Sequence, residues 1–191
     1  MNRLAALAVL AAVLTPCAAS AEPQQPYAGF QMRHIKALSP QQIADLKAGR
    51  GMGLALAAEL NGYPGPAHVL QLAGPIGLTD AQRTEVQALF DAMKAETVPL
   101  GQKLIAEETA LDHQFASKTI TESSLTAAMQ TIGGIQARLR MAHLKYHLAT
   151  IKILASAQVQ HYVALRGYSG GMQAHHQHDI QAKHPHSIDQ N

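Results

Sequence analysis

Two histidines one helical turn apart are the residues of this sequence whose types and spacing most clearly suggest chemistry. His143 and His147 lie in the segment AHLKYHLATIKILASAQ (142–158), beside leucine and isoleucine residues at helical spacing. Side chains four residues apart lie one above the other on a helix, about 5–6 Å apart at Cβ, so the two imidazoles can share one metal ion. The alternative is a pair of core histidines, each hydrogen-bonded to the backbone or to a glutamate.

A third ligand has to come from another element. His68 lies in a short predicted helix that directly precedes the first of two long helices. In an antiparallel arrangement, the start of the first long helix lies beside the end of the second, near His143 and His147, so we expect His68 to share their surroundings. Met93 and Glu96 lie opposite in approximate register. The sequence therefore predicts a site for Zn, Cu or Ni made by His68, His143 and His147.

The C-terminal segment is a second concentration of histidine. Residues 168–191 are polar and without periodicity, and they contain five of the 11 histidines: His175, His176, His178, His184 and His186. Neutral imidazoles suit Zn, Cu and Ni. Because a disordered tail must be ordered to close around an ion, we expect adaptable binding of modest affinity. The alternative is a soluble tail whose histidines are incidental.

Residues 1–21 are predicted to be a cleaved signal peptide. Arg3 precedes an apolar run, and Ala19-Ser20-Ala21 has the small-x-small pattern of a cleavage site, so we expect a periplasmic protein. The run is too short for a permanent membrane helix, no second segment of membrane length follows, and the proline before Cys17 fits a lipoprotein signal poorly. Cys17 is the only cysteine, so the mature chain has no thiolate ligand and no disulfide.

Charge and motifs argue against two further classes of function. Without Arg3, 14 Lys and Arg residues face 13 Asp and Glu residues, and this formal charge of +1 gives no support to nucleic-acid binding. The chain has no nucleophile elbow, no HExxH sequence and no cofactor loop, and GMGLALAAEL (51–60) lacks the dinucleotide-binding pattern. We therefore expect a binding protein rather than an enzyme.

The elements that must position the histidines are all predicted to be helical. Residues 22–38 predict an extended leader. Ser39-Pro40 begins a helix that Gly49, Gly51 and Gly53 weaken, and a short helix is expected over 66–73. No period-two pattern of a strand occurs, so the fold class is all-α.

Two long helices dominate the rest of the chain. Thr79 and Gln82 predict a capping box, and apolar residues three and four apart predict a helix to about residue 116, with Pro99 bending or splitting it. A second long helix is expected over 122–154 and a last one over 156–166.

A short turn between the two long helices predicts a long antiparallel hairpin with shorter flanking helices. The apolar stripes exceed what the short helices cover, so we expect a homodimer. The predicted domain covers residues 39–167, and the tail covers 168–191.

Two copies of one motif make the pattern more specific. Leu78, Thr79 and Gln82 form an LTxxQ motif at the start of the first long helix, and Leu154 and Gln158 keep the Leu and Gln of a second copy at the start of the last helix. Over residues 38–167 the chain resembles the LTxxQ family, which contains Spy-like and CpxP-like periplasmic chaperones and ZraP-like and CnrX-like heavy-metal-resistance proteins.

This resemblance implies a hook-shaped, usually dimeric, non-enzymatic protein of envelope stress. It implies either a metal sensor or buffer, or an ATP-independent chaperone that cradles unfolded clients, with an envelope-stress signalling protein as a further partner. Nickel and cobalt sensors of the family carry a His-xxx-Met pair on the helix before the second motif, about one turn later than His143 and His147. The resemblance therefore implies the type of site and not its positions.

Overall fold

Six α-helices and one 3-10 helix make up residues 25–169, the part of the chain that the computed structural model describes. No strand occurs within this range, which confirms the all-α prediction. The predicted signal peptide, Cys17 and the five tail histidines lie outside it. The elements are the 3-10 helix Phe30–Met32 and the helices α1 Pro40–Ala48, α2 Leu56–Glu59, α3 Pro66–Gln71, α4 Asp80–Ala116, α5 Glu122–Thr150 and α6 Ser156–Leu165.

Side-chain caps determine where the long helices begin. Before α4, the hydroxyl of Thr79 accepts the backbone N–H of Gln82, and the Gln82 side chain accepts the N–H of Thr79. These two bonds satisfy donors that a helix start otherwise leaves unpaired, and they confirm the predicted capping box. Thr121 caps α5 in the same reciprocal way with Ser124.

Helix α4 is 37 residues long and continues through Pro99 without a break. Of the two effects expected of this proline, a bend or a split, the split therefore does not occur. Proline removes the hydrogen bond to the carbonyl of Ala95, four residues earlier. Both Ala95 and Pro99 are exposed, so water can reach that carbonyl. Helix α5 ends at Thr150, four residues before the predicted end, and turns link it to α6.

One core cluster joins α1, α4 and α5. Gly101 of α4 lies against the backbone of Leu46 in α1, where a β-carbon would collide with the Leu46 carbonyl oxygen. Ile35 and Leu38 also belong to this cluster. The end of the expected extended leader is therefore part of the folded domain, because these two apolar side chains are buried against the long helices.

A second core cluster joins α3, the start of α4 and the C-terminal half of α6. Its buried members are Val69, Ile76, Val86, Leu154, Tyr162 and Val163. Along the chain, His143 and His147 lie between Ala142, the last member of the first cluster, and Leu154 of the second. The two histidines therefore occupy the junction between the two apolar cores.

The glutamines of the two motifs form a reciprocal pair. The side-chain amide of Gln82 donates to Oε1 of Gln158, and the amide of Gln158 donates to Oε1 of Gln82, both at 2.9 Å. Each amide also reaches a backbone carbonyl: Gln82 that of Ile153 at 2.9 Å, and Gln158 that of Gly77 at 3.0 Å. The pair, which we call the glutamine clasp, holds the start of α4 beside the start of α6.

Glu96 of α4 contacts two residues of α5 and so joins the two long helices directly. Its carboxylate lies 2.5 Å from Nζ of Lys145 and accepts the hydroxyl of Tyr146 at 3.4 Å.

Among residues 25–169, no helix has the length and apolar character needed to cross a membrane.

Candidate functional site

The three histidines predicted as ligands line one cavity of about 580 Å³. His143 and His147 come from α5 and are buried, whereas His68 comes from α3 and its side chain is 40% exposed. Five helices and the loop after α1 meet around this space. The topological argument for placing His68 near the pair on α5 therefore agrees with the observed structure.

The ring of His147 is held by the turn before α3. Its Nδ1 lies 2.6 Å from the backbone carbonyl oxygen of Tyr63, so Nδ1 carries the proton and donates to that oxygen. A β-carbon on Gly65 would lie 2.6 Å from Nε2 of His147. Glycine at position 65 therefore leaves room for the imidazole, and the backbone contact fixes its orientation.

The ring of His143 has a different environment. None of the hydrogen bonds found among the described residues involves it, yet no fully buried side-chain nitrogen or oxygen there lacks a partner. Its nitrogens therefore reach the cavity. Burial, together with repulsion by His147, lowers the pKa of His143, so this imidazole is neutral at neutral pH and can offer a lone pair.

A buried carboxylate that the sequence analysis missed forms the centre of the site. Glu59 of α2 is only 5% exposed. Its Oε2 accepts the N–H of Gly65 at 3.3 Å, its Oε1 lies 3.3 Å from Nδ1 of His68, and its Oε2 lies 3.8 Å from Nδ1 of His147. Glu59 therefore connects both histidines to the turn before α3. The signal in the sequence is a single acidic residue within the otherwise apolar segment LALAAEL (54–60).

Helix α6 and the residues after it approach the same carboxylate from the other side. The Tyr162 hydroxyl donates to Oε1 of Glu59, the Tyr168 hydroxyl lies 3.4 Å from that oxygen, and Nε of Arg166 lies 3.6 Å away. Tyr168 follows the predicted end of the domain at residue 167 but packs with the second core cluster. The folded part of the chain therefore includes it.

The surroundings of Glu59 favour its charged form. Burial alone raises the pKa of this carboxyl, but hydrogen bonds from His68 and Tyr162, with the charge of His68, outweigh burial and lower the pKa to about 2. Burial and the hydrogen bond to Glu59 raise the pKa of Tyr162. The site therefore contains a carboxylate and a neutral phenol at every pH near neutrality.

The ring contacts match the outer contacts of metal-binding histidines. A ligating histidine usually donates its second ring N–H to a carboxylate or a backbone carbonyl, and here Nδ1 of His68 faces Glu59 while Nδ1 of His147 faces Tyr63. Nε2 is then the nitrogen left for an ion on both rings. Glu96, predicted to lie opposite, pairs with Lys145 and does not line the cavity.

The histidines share a cavity, but they do not form an assembled ligand set. Within residues 25–169, no three His, Asp or Glu side chains are arranged so that together they could hold a metal ion. The contacts of His68 and His147 with Glu59 and Tyr63 account for the directions of these two rings. The three-histidine site thus remains a prediction, and binding would require at least one ring to turn toward the cavity.

Comparison of the chain with known proteins adds nothing to the geometry of the site. No protein-family model matches the chain, and no similar curated protein or solved structure was found.

Proposed function

We propose that this protein binds heavy-metal ions in the cavity lined by His68, His143 and His147, and that it acts as a sensor, buffer or resistance protein of the LTxxQ type. The observation that supports the proposal is the shared cavity, in which two of the three rings have Nδ1 against an oxygen acceptor. The expected ions are Zn, Cu or Ni, because neutral imidazole suits all three.

Each residue contributes a separate property to this proposed site. The neutral ring of His143 supplies a lone pair without first losing a proton. His147 is oriented by Tyr63. The Glu59 carboxylate, already charged, offsets the positive charge of a bound ion and holds the ring of His68 by its contact with Nδ1.

The quaternary proposal is a hook-shaped antiparallel hairpin that pairs as a homodimer. The contacts of Gln82 with Ile153 and of Glu96 with Lys145 support an antiparallel course of the two long helices. Exposed apolar side chains near the turn between α4 and α5 support pairing, since Phe115 is 54% exposed and Met129 is 44% exposed. We also propose a periplasmic location, which depends on the signal pattern in residues 1–21.

The test is metal titration by calorimetry and by thermal melting, with zinc, copper and nickel. A chain ending at Ser169 removes the tail histidines and retains Tyr168. We compare it with the His143→Ala/His147→Ala variant and with a matched control, His113→Ala/His161→Ala, which removes two exposed histidines. Metal should raise the melting temperature of the parent chain and of the control, but not that of the His143→Ala/His147→Ala variant. Equal shifts in all three proteins, or no shift in any, would show that the pair on α5 has a structural role.

A chaperone function is the second candidate. The observation that favours it is the exposed surface of α5 and the turn after it, where Met141 and Leu148 lie among the exposed basic residues Arg138, Arg140, Lys145 and Lys152. Apolar side chains next to positive charge suit unfolded chains as clients. If Met141→Ser/Leu148→Ser abolishes suppression of client aggregation while metal binding persists, both functions are present and use separate surfaces.

A further inference from the structure

Two methionines line the same cavity as the three histidines. Met93 of α4 is only 6% exposed, and Met52 lies in the loop between α1 and α2. Residues 25–169 contain no cysteine, so thioethers are the sulfur ligands that this domain can offer. Thioether sulfur is a soft ligand that selects monovalent copper over harder divalent ions. The cavity therefore combines soft sulfur with neutral imidazole.

The backbone at Met52 is strained in a way that packing does not explain. Met52 has φ 45°, a left-handed conformation that glycine or asparagine adopts more easily. Its flanking glycines leave room for this turn, and the side chain is 41% exposed, so it contributes little to the core. Strained residues of this kind cluster at ligand sites. A β-carbon on the preceding Gly51 would lie 3.5 Å from Nδ1 of His143, which places Met52 next to a predicted ligand.

We propose that the cavity selects a soft monovalent cation, copper(I), with Met52 and Met93 as thioether ligands beside the imidazole of His143. This inference rests on the proposed metal-binding function and names the ion within it. A soft d¹⁰ ion accepts two or three ligands, so it does not need the set of three His, Asp or Glu side chains that the described residues lack. No change of oxidation state is involved, because the ion enters and leaves as copper(I).

The experiment is anaerobic competition of the full chain with a chromophoric copper(I) chelator, beside a parallel zinc titration. The variant is Met52→Leu/Met93→Leu, which keeps the side-chain volume nearly unchanged. The matched control is Met129→Leu/Met141→Leu, which changes two exposed methionines of α5 outside the cavity. The tail is the same in every protein, so differences between them report the cavity.

We expect the cavity variant to lose at least tenfold in copper(I) affinity while its zinc affinity changes less than threefold, and we expect the control to match the wild type. X-ray absorption of the copper(I)-loaded wild type should show sulfur neighbours that the cavity variant lacks. If the double variant does not fold, the exposed position alone, Met52→Leu, should still weaken copper(I) binding.

Two outcomes overturn the inference in distinguishable ways. If copper(I) binds the wild type and the cavity variant equally, with no sulfur neighbour, the methionines are not ligands and the proposed metal-binding function stands. If the His143→Ala/His147→Ala variant binds both copper(I) and zinc as tightly as the wild type does, the proposed function fails together with this inference.

Discussion

Replacement of Glu59 by glutamine tests the central interaction of the site. The pKa of this carboxyl falls from an ordinary 4.5 to about 2 on folding, and at about 1.4 kcal/mol per pKa unit this corresponds to about 3 kcal/mol of stabilisation at neutral pH. Glutamine keeps one oxygen acceptor, for either Tyr162 or Gly65, places an NH2 donor where the other carboxylate oxygen was, and cannot carry the negative charge. We therefore expect Glu59→Gln to lower the free energy of unfolding by about 3 kcal/mol at pH 7.

The pH dependence of this loss distinguishes charge from shape. Because folding lowers the pKa of Glu59, its contribution is complete above pH 4.5 and is lost as the pH falls toward 2. The difference between wild type and Glu59→Gln should thus shrink from about 3 kcal/mol at pH 7 to about 2 kcal/mol at pH 3.5.

The assay is urea unfolding of the full chain, followed by far-UV circular dichroism at both pH values. Glu85→Gln, which changes an exposed carboxylate of α4, is the control and should change stability by less than about 0.5 kcal/mol. A Glu59→Gln protein as stable as the wild type at pH 7, or a difference that is the same at both pH values, would refute the reasoning.

Four further predictions concern the clasp, the turn before α3, the tail and the assembly. Gln82→Ala or Gln158→Ala should each cost about 1–2 kcal/mol, because each removes the side-chain hydrogen bonds of the clasp and leaves the partner amide only its backbone carbonyl. In urea unfolding the double variant should cost less than the sum of both. Gly65→Ala should lower the free energy of unfolding by about 1–3 kcal/mol, because the added methyl group overpacks against His147, and it should weaken metal binding in calorimetry. The control Gly74→Ala, at an open position, should leave metal binding unchanged. Removal of residues 170–191 should leave the melting temperature of the metal-free protein unchanged and lower the metal stoichiometry; a drop of many degrees would contradict this. Sedimentation equilibrium at micromolar concentration should give a dimer, and a clean helical monomer would exclude it.

Local signals in the sequence were enough to predict most of the helices. Capping side chains are adjacent in the chain to the helices that they start, so Ser39 and Thr79 marked the beginnings of α1 and α4 correctly. Apolar spacing gave the end of α4 at Ala116. The end of α5 was wrong by four residues, because the apolar pattern continues into the turns at Ile153 and Leu154.

The site itself was only partly predictable. Topology brought His68 to the same cavity as His143 and His147, since the order and lengths of the helices determine which ends meet. Glu59 was missed because its partners from α5, α6 and the residues after α6 are remote in the chain: Tyr162 lies 103 residues away. A buried carboxylate can be recognised only when those partners are known, and Met52 likewise became notable only through its backbone angle.

The glutamine clasp has a consequence for how this sequence can change over generations. Gln82 and Gln158 lie 76 residues apart, yet each hydrogen-bonds the side chain of the other and the backbone at the other's end of the clasp. A substitution at one position leaves a half-buried amide without its partner, and only a matching change at the other can restore the pairing. We therefore expect that, in any set of natural variants of this chain, positions 82 and 158 are kept together or replaced together.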